Sequence, residues 1–362
     1  MPLVWILQGR RVGDNLQLVA LADALGWPYE SKALDWRKPL ARWTPWYGRR
    51  ASLRHLTAQA GAGLVPPWPD LVLSIGWRSV PVARWIQRQS RARLVHLGRP
   101  RAPLAAFDLV LGTPQYRLPE ARNVVQLSGP VSTRPPGRLA AAADLWAPRL
   151  SHLPRPWIAV LVGGDAPPLR FPPPAAVALA EACNRLAAET GGSLLVATGP
   201  RTPPPSAEAL RSALTAPSYL HEWGSDGDNP YEAFLALADK FVVTGDSISM
   251  AHEAAQRGQP LHVFPLPAAH AALHQTLRGL DRHLRREGLP LQGLYRRLLM
   301  AGVIYPPRSG SDYFEGLVEH GRANLLGAPE VVPAAAAGPA DSARAVRAVR
   351  ALFADRDLSL PG

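Results

Sequence analysis

Cysteine is almost absent from this chain: among 362 residues there is only Cys183. A disulfide framework is therefore excluded, and so is a zinc site built on cysteine. Cys183 lies within an apparent helix, Ala175 to Thr190, and is read as a buried thiol. Long hydrophobic runs are missing too. No stretch reaches the 18 or so uninterrupted apolar residues that cross a bilayer, and the opening Met-Pro-Leu-Val-Trp-Ile-Leu-Gln-Gly lacks the basic start and longer apolar core of a secretion signal. The expectation is a chain made and kept in the cytoplasm. Acidic residues are outnumbered, 28 against 40 Lys and Arg, leaving a formal net charge of +12. That balance favours an anionic partner: a phosphate-bearing substrate, a membrane surface or nucleic acid. No His-x-x-x-His, Asp-x-Asp or clustered carboxylate pattern offers a divalent-metal site, so neither a metal nor another cofactor is expected.

What is present is a repeated alternation. Leu3 to Leu7 reads as a buried strand, followed by a glycine-bearing loop from Gly9 to Asn15 and a helical pattern from Leu16 to Leu25. Strand followed by glycine returns at Leu71–Ile75 with Gly76, Arg93–Leu97 with Gly98, and Leu109–Leu111 with Gly112. A Pro- and Ala-rich stretch from Pro130 to Pro156, with one short helix at Leu139–Trp146, reads as a linker. The alternation restarts at Trp157–Val162 with Gly163-Gly164 and continues through Leu194–Ala197, Phe241–Thr244 and Leu261–Phe264. A mostly helical region then runs to about Leu326. Gly327 to Ala340 is low-complexity Ala/Pro/Gly, and Ser342 to Ala354 reads as a final amphipathic helix with a basic face. Apolar strands alternating with helices imply parallel, doubly wound sheets. The expected division is residues 1–150, 151–326 and a tail of 327–362. Two such domains facing a central cleft place strand-end loops where ligands of doubly wound sheets bind.

The strongest local signal is Thr244-Gly245-Asp246-Ser247-Ile248-Ser249-Met250-Ala251-His252-Glu253. A strand ends, Gly245 allows a tight turn, and a helix begins whose free amides and dipole suit a diphosphate. Ser247 and Ser249 add hydroxyl donors, and Glu253 is placed to accept hydrogen bonds from ribose hydroxyls. The same Asp246 or Ser247 also serves as an ordinary N-cap. Upstream, Asn229-Pro230-Tyr231 opens a capped helix ending in Leu235-Ala236-Leu237-Ala238-Asp239.

The order Asn-Pro-Tyr, Leu-Ala-Leu-Ala-Asp, Val-Val-Thr, Asp-Ser-x-Ser-Met, Glu-Ala and Gly-x-Pro resembles the Elm-type family. That family is named after a plant mitochondrial-fission factor, and its bacterial members are classed as GT-B glycosyltransferases. The resemblance extends to Leu161-Val162-Gly163-Gly164-Asp165, to Thr198-Gly199-Pro200-Arg201-Thr202-Pro203, and to the loops Gly9–Gln17 and Gly76-Trp77-Arg78. It covers much of residues 1 to 325. The first loop departs from the family's Gly-Arg-Pro-Gly-His-x-Asn-Gln.

The resemblance implies a GT-B fold, a nucleotide-sugar donor and a saccharide or lipid-linked acceptor. Its donor-binding set is Gly163, Gly164, Arg201, Gly245, Asp246, Ser247, Ser249, Met250 and Glu253. Gly163-Gly164 would let backbone approach a phosphate, and Arg201 would pair with a diphosphate through its planar fork. Related enzymes acting on lipids place a histidine or carboxylate after the first glycine loop. Here that is Asp14, a catalytic base or a cap of the helix from Asn15. Gly13, Asn15, Gly76 and Arg78 fall on the acceptor side, with Ser79 and His96 as lesser candidates. Other readings left open are a non-catalytic membrane adaptor and a nucleotide-sugar epimerase.

One segment stands apart. Residues 36 to 54 hold six basic residues, no acidic ones, three tryptophans and a tyrosine. Trp and Tyr favour the headgroup region and Arg is drawn to anionic lipid, so Trp43, Trp46, Arg49 and Arg50 form an expected membrane patch. A solvated basic loop and a single-stranded nucleic-acid platform are the alternatives, and no nucleic acid is expected.

Overall fold

The computed structural model describes residues 1–37, 47–132, 136–269, 271–286, 290–307, 310–329 and 340–354. Among the described residues twelve strands fall into two six-stranded parallel sheets, and the chain divides into two compact units. The two Rossmann-like domains expected of the GT-B class are present.

Unit 1 comprises Met1–Thr133, Thr276–Arg308 and Pro339–Gly362. Its sheet has the order β2-β1-β3-β4-β5-β6, with β1 Val4–Gln8, β2 Tyr29–Ala33, β3 Leu71–Ile75, β4 Arg93–Leu97, β5 Leu109–Gly112 and β6 Val124–Gln126. The apolar runs of β1, β3 and β5 are buried on both faces, as strands covered by helices on either side must be. Helix α1, Val12–Leu25, covers one face with Leu18, Leu21 and Leu25 and ends at Gly26 in the left-handed conformation. It starts four residues earlier than its apolar periodicity indicates, because Arg11 and Val12 are exposed and carry no core signal. A short α2, Ala58–Ala62, and α3, Val80–Ser90, lie between β2 and β4, and Val80, Val82, Ala83 and Ile86 of α3 pack on the opposite face.

Unit 2 comprises Arg134–Gln275 and Ser309–Gly338. Its sheet runs β12-β11-β10-β7-β8-β9, with β7 Trp157–Gly164, β8 Ser193–Arg201, β9 Ser218–His221, β10 Lys240–Thr244, β11 Leu261–Phe264 and β12 Asn324–Leu325. One face is covered by α4 Pro136–Leu150, α7 Tyr231–Leu237, α8 Ile248–Ala255 and α11 Gly310–Glu319, the other by α5 Pro173–Thr190 and α6 Pro204–Ala213. Cys183 of α5 is buried there, and burial pushes its thiol up to about 12.

Contacts divide the chain differently from the linear expectation of 1–150, 151–326 and 327–362. The supposed linker helix α4 belongs to unit 2, where Trp146 and Leu150 join the core beside Phe234 of α7. Helices α9 Ala271–Leu284 and α10 Gln292–Met300 follow β11; residues from Thr276 to Arg308 belong to unit 1. The last helix, α12 Ala340–Ala351, is no tail: Ala345 and Val349 complete the core under α1, and Asp341 accepts hydrogen bonds from Ser128 and from the Gly129 amide. A linear cut misses this because an apolar face on one helix does not say which sheet it covers.

Candidate functional site

In each sheet the chain reverses its direction of growth once. Unit 1 lays β2 to one side of β1 and β3 through β6 to the other; unit 2 lays β8 and β9 to one side of β7 and β10 through β12 to the other. The carboxyl ends of β1/β3 and of β7/β10 are therefore the switch points, where adjacent loops diverge and leave a crevice. Both sets of expected site residues fall there.

At the second switch point, Asp246 sits at the centre. Its side chain is fully buried, with Arg201 Nη2 2.8 Å from Oδ2. The Gly164 amide donates to Oδ2 at 3.0 Å and the Thr244 hydroxyl donates to Oδ1 at 2.7 Å. Thr244 Oγ1 in turn accepts from the Gly163 amide at 2.8 Å. Thr202 extends the net, donating to the Gly163 carbonyl at 2.7 Å and accepting from the Gly199 amide at 3.0 Å. The ends of β7, β8 and β10 are thus tied through one carboxylate. Burial pushes the Asp246 carboxyl up, opposed first by the Arg201 guanidinium and then by the Thr244 hydroxyl and backbone amides.

This geometry bears on the expected roles: both Asp246 oxygens are engaged by the ends of β7, β8 and β10, and Ser247, not Asp246, holds the N-cap position of α8. Gly163 is glycine because a Cβ there would stand 2.2 Å from Asp246 Oδ2, so the space read as a phosphate approach holds a carboxylate instead. Gly164, at φ +136°, likewise meets the Arg201 carbonyl, 2.1 Å from where its Cβ would be. Arg201 is half-engaged, paired to Asp246 while its side chain remains 42% exposed.

Beside this knot, α8 begins without a capping side chain. Ser247 holds the N-cap position, yet its side chain makes no capping bond. The first amides of α8 carry the positive end of the helix dipole at the carboxyl edge of the sheet, the arrangement that receives anions. Ser249 and Met250 in its first turn are partly exposed. Gly245 keeps the turn close to β11, its amide donating to the Phe264 carbonyl at 2.8 Å. Further along α8, Glu253 accepts from the Tyr231 hydroxyl at 2.6 Å and is half-buried, which fixes its carboxylate on the α7 side.

At the first switch point, Asp14 lies in the first turn of α1, half-buried, with Oδ2 4.0 Å from the Cβ position of Gly76. The helix begins before it, at Val12, so Asp14 is not the cap of a helix starting at Asn15. Asn15 folds back on the loop, accepting from the Gly9 amide at 2.9 Å and donating to the Gly9 carbonyl at 2.8 Å. Its side-chain amide clamps the loop from both ends. Gly13 is exposed, and its carbonyl accepts weakly from Gln17. Gly76 has φ +73°, which shapes the turn into α3, and Ser79 donates to the Ile75 and Gly76 carbonyls. Arg78 and Arg101 stack on Trp77 with guanidinium carbons 5.5 and 5.2 Å from the ring centre. A small crevice of about 10 Å³ lies between Gln17, Ile75, Gly98, Thr113 and Tyr116 in this same unit.

His96 is not a site residue. It is fully buried in β4, its Nδ1 2.8 Å from the Ser74 hydroxyl, and burial pushes its imidazole down to about 3. In the expected membrane patch, Trp43 and Trp46 lie outside the described residues. Of the two described members, Arg49 turns inward, donating to the Ala301 carbonyl at 3.0 Å, and Arg50 is exposed. Arg84 fastens the backbone there through the Gly48 and Arg49 carbonyls.

Residues 12–289 match the family described as Mitochondrial fission ELM1. The chain belongs to that family. It is 22% identical over 312 residues to the Uncharacterized protein RP120 of Rickettsia prowazekii (strain Madrid E), covering 75% of this chain and 86% of that one. It is 26% identical over 220 residues to the Mitochondrial fission protein ELM1 of Arabidopsis thaliana, covering 54% of this chain and 51% of the plant protein. This chain thus matches about half the length of the plant relative. Among solved structures, the UDP-GlcNAc 2-epimerase from Methanocaldococcus jannaschii aligns over 98% of this chain and 99% of its own, at 13% identity and a TM-score of 0.49.

Within this ELM1-family chain, sequence reasoning passed over Thr244, Thr202 and Tyr231. All three stand inside motifs already singled out, Thr244 as a strand end, Thr202 beside Arg201 and Tyr231 as a helix start. The available signal was a hydroxyl or phenol next to a glycine or proline loop at a strand end. What it lacked was a partner, which only the strand order supplies.

Proposed function

We propose that this chain is a metal-independent GT-B glycosyltransferase. It takes a sugar from a nucleotide-sugar donor and passes it to a saccharide or lipid-linked acceptor, as a peripheral protein at the cytoplasmic face of the inner membrane. The observation that carries this reading is the uncapped start of α8 standing beside a rigid knot of strand-end loops at the switch point of the second sheet. Amide donors held in place before a ligand arrives are what a diphosphate leaving group requires, because they need no reorganisation as charge develops.

In this reading unit 2 binds the donor. The α8 amides, with Ser249 and the exposed part of Arg201, meet the diphosphate, and Glu253, oriented by Tyr231, takes the ribose hydroxyls. Met250 packs against the nucleotide. Asp246, Gly163, Gly164, Gly245 and Thr244 position these groups without touching the substrate. Unit 1 supplies the acceptor side through Asp14, Gly76 and Arg78. Asp14 takes the proton of the acceptor hydroxyl, whose oxygen bonds to the anomeric carbon. The bond from that carbon to the diphosphate breaks, and its electron pair leaves with the diphosphate.

The test is a thermal-shift panel of UDP, GDP, ADP and CMP with their sugars, with and without EDTA. One nucleotide raises the melting temperature by a few degrees at a hundredfold excess over its Kd, worth about 2.7 kcal/mol. EDTA leaves that shift unchanged, and Glu253→Ala removes most of it. A panel in which no nucleotide moves the wild type more than Glu253→Ala overturns the donor assignment; a shift abolished by EDTA overturns metal independence.

A further inference from the structure

Four segments of unit 1, residues 47–50, 76–79, 98–103 and 301–307, carry Arg49, Arg50, Arg78, Arg99 and Arg101 and not one Asp or Glu. Two of them are the loops after β3 and β4, so Arg78, Arg99 and Arg101 stand at the carboxyl edge of the sheet. Arg101 is exposed, yet its backbone is left-handed, at φ +51°. Among the described residues Arg91 and Arg117 share that region, and each closes a helical turn, α3 and Pro114–Tyr116, where a left-handed residue is ordinary. Arg101 closes no helix, so its strained turn has another reason.

Neighbouring backbone holds that turn in place. A Cβ on Gly48 would stand 2.5 Å from the Arg101 carbonyl oxygen, and one on Gly302 would stand 2.5 Å from the Ala102 carbonyl carbon. Two glycines thus let two separate segments close on residues 101–102. Those segments are themselves tied, Arg49 donating to the Ala301 carbonyl at 3.0 Å and the Tyr305 hydroxyl to the Gly302 carbonyl at 2.6 Å. Arg99 straps the loop down through the Tyr116 and Pro306 carbonyls. The Arg101 guanidinium carbon then lies 5.2 Å from the Trp77 ring centre and 6.0 Å from that of Tyr305, and that of Arg78 lies 5.5 Å from the same Trp77 ring. Burial pushes the Tyr305 phenol up, opposed first by Arg101 and then by Arg49 and Arg99, so three guanidinium groups act on one hydroxyl.

A cation fixed before its ligand arrives loses little side-chain freedom on binding, and a planar guanidinium fork matches phosphate oxygens. The position gives the ligand its role. Arg78 follows Gly76 by two residues, and Asp14 Oδ2 stands 4.0 Å from the Gly76 Cβ position, so the arginines and Asp14 meet at one loop. We propose that Arg101, with Arg78 on the same tryptophan, is a phosphate-binding site, and that the acceptor carries a phosphate held there while its hydroxyl faces Asp14. The inference rests on the reading of unit 1 as the acceptor side.

Isothermal titration with two charged probes and their neutral partners tests it: glucose 6-phosphate against glucose, and geranyl phosphate against geraniol. At least one phosphate binds at least about tenfold more tightly than its neutral partner; the sugar phosphate marks a soluble acceptor and geranyl phosphate a lipid-linked one. Arg101→Gln lowers that affinity by about tenfold, one lost charge-assisted contact, and leaves the neutral partner unchanged. Arg88→Gln, at an exposed arginine in the last turn of α3, removes the same charge without effect. Should Arg101→Gln fail to fold, Arg78→Gln decides in its place, with the same loss expected. Equal binding of charged and neutral probes, no binding of either phosphate, or equal losses in Arg101→Gln and Arg88→Gln overturn the proposal. The nucleotide thermal shift on the same variants keeps the two readings apart. Phosphate affinity that follows Arg101 in a chain showing no nucleotide shift keeps this site and overturns the donor assignment; a nucleotide shift in a chain that binds neither phosphate does the reverse.

Discussion

The switch points of the two sheets have the same topology and different construction. In unit 2 the loops after β7, β8 and β10 converge on one buried carboxylate, and two successive glycines exist because Asp246 and the Arg201 carbonyl occupy the space their side chains would need. In unit 1 a Cβ built on Gly76 would meet only Asp14 Oδ2, at 4.0 Å, and Asp14 and Arg78 are half-buried. On the proposed reading, a knot of buried hydrogen bonds that fixes the α8 amides at one geometry suits a constant diphosphate, and an edge with stacked arginines suits acceptors that differ in shape.

The sharpest way to break this comparison is a methyl group. Gly163→Ala drives a Cβ into the Asp246 carboxylate and is expected to cost roughly 3 kcal/mol or more. Gly76→Ala, whose Cβ meets Asp14 Oδ2 only at an ordinary contact distance of 4.0 Å, costs about 1–2 kcal/mol from its left-handed backbone. Urea unfolding of both variants checks the ranking, and equal losses contradict the difference in construction. Next comes charge. Asp246→Asn sets an amide group against the Gly164 amide and Arg201 and is expected to lose about 2–3 kcal/mol, against under ~1 kcal/mol for Asp14→Asn in the first turn of an exposed helix start. Differential scanning calorimetry separates them.

A smaller effect sharpens the picture of unit 1, whose weak point lies beneath the site. His96 is held neutral, its imidazole pushed from 6.5 down to about 3. The unfolded chain takes up a proton below pH 6.5 that the folded chain refuses, so this stability is present above 6.5 and lost as the pH falls toward 3. The loss reaches about 2 kcal/mol by pH 5. His96→Leu removes that slope while Ser74 keeps its bond to the Val95 carbonyl; parallel pH profiles for the two proteins refute it.

The eight strands read from the sequence are the inner ones. The four that escaped, β2, β6, β9 and β12, are the edges of the two sheets. Inner parallel strands are buried on both faces and announce themselves as apolar runs, whereas Tyr-Glu-Ser-Lys-Ala in β2 is largely exposed and carries no such signal. Asp246 and the glycines were visible as a strand-end motif, but one sequence does not show that Asp246 points back across β7 and not outward.

The central claim is that the start of α8 holds a nucleoside diphosphate on a scaffold set by Asp246. Isothermal titration of the nucleotide chosen by the thermal-shift panel tests it most directly, on wild type, Glu253→Ala and Asp14→Ala. The account predicts binding that Glu253→Ala weakens by at least about tenfold, one lost charge-assisted contact, and that Asp14→Ala leaves unchanged. Binding that survives Glu253→Ala intact and disappears with Asp14→Ala would contradict it.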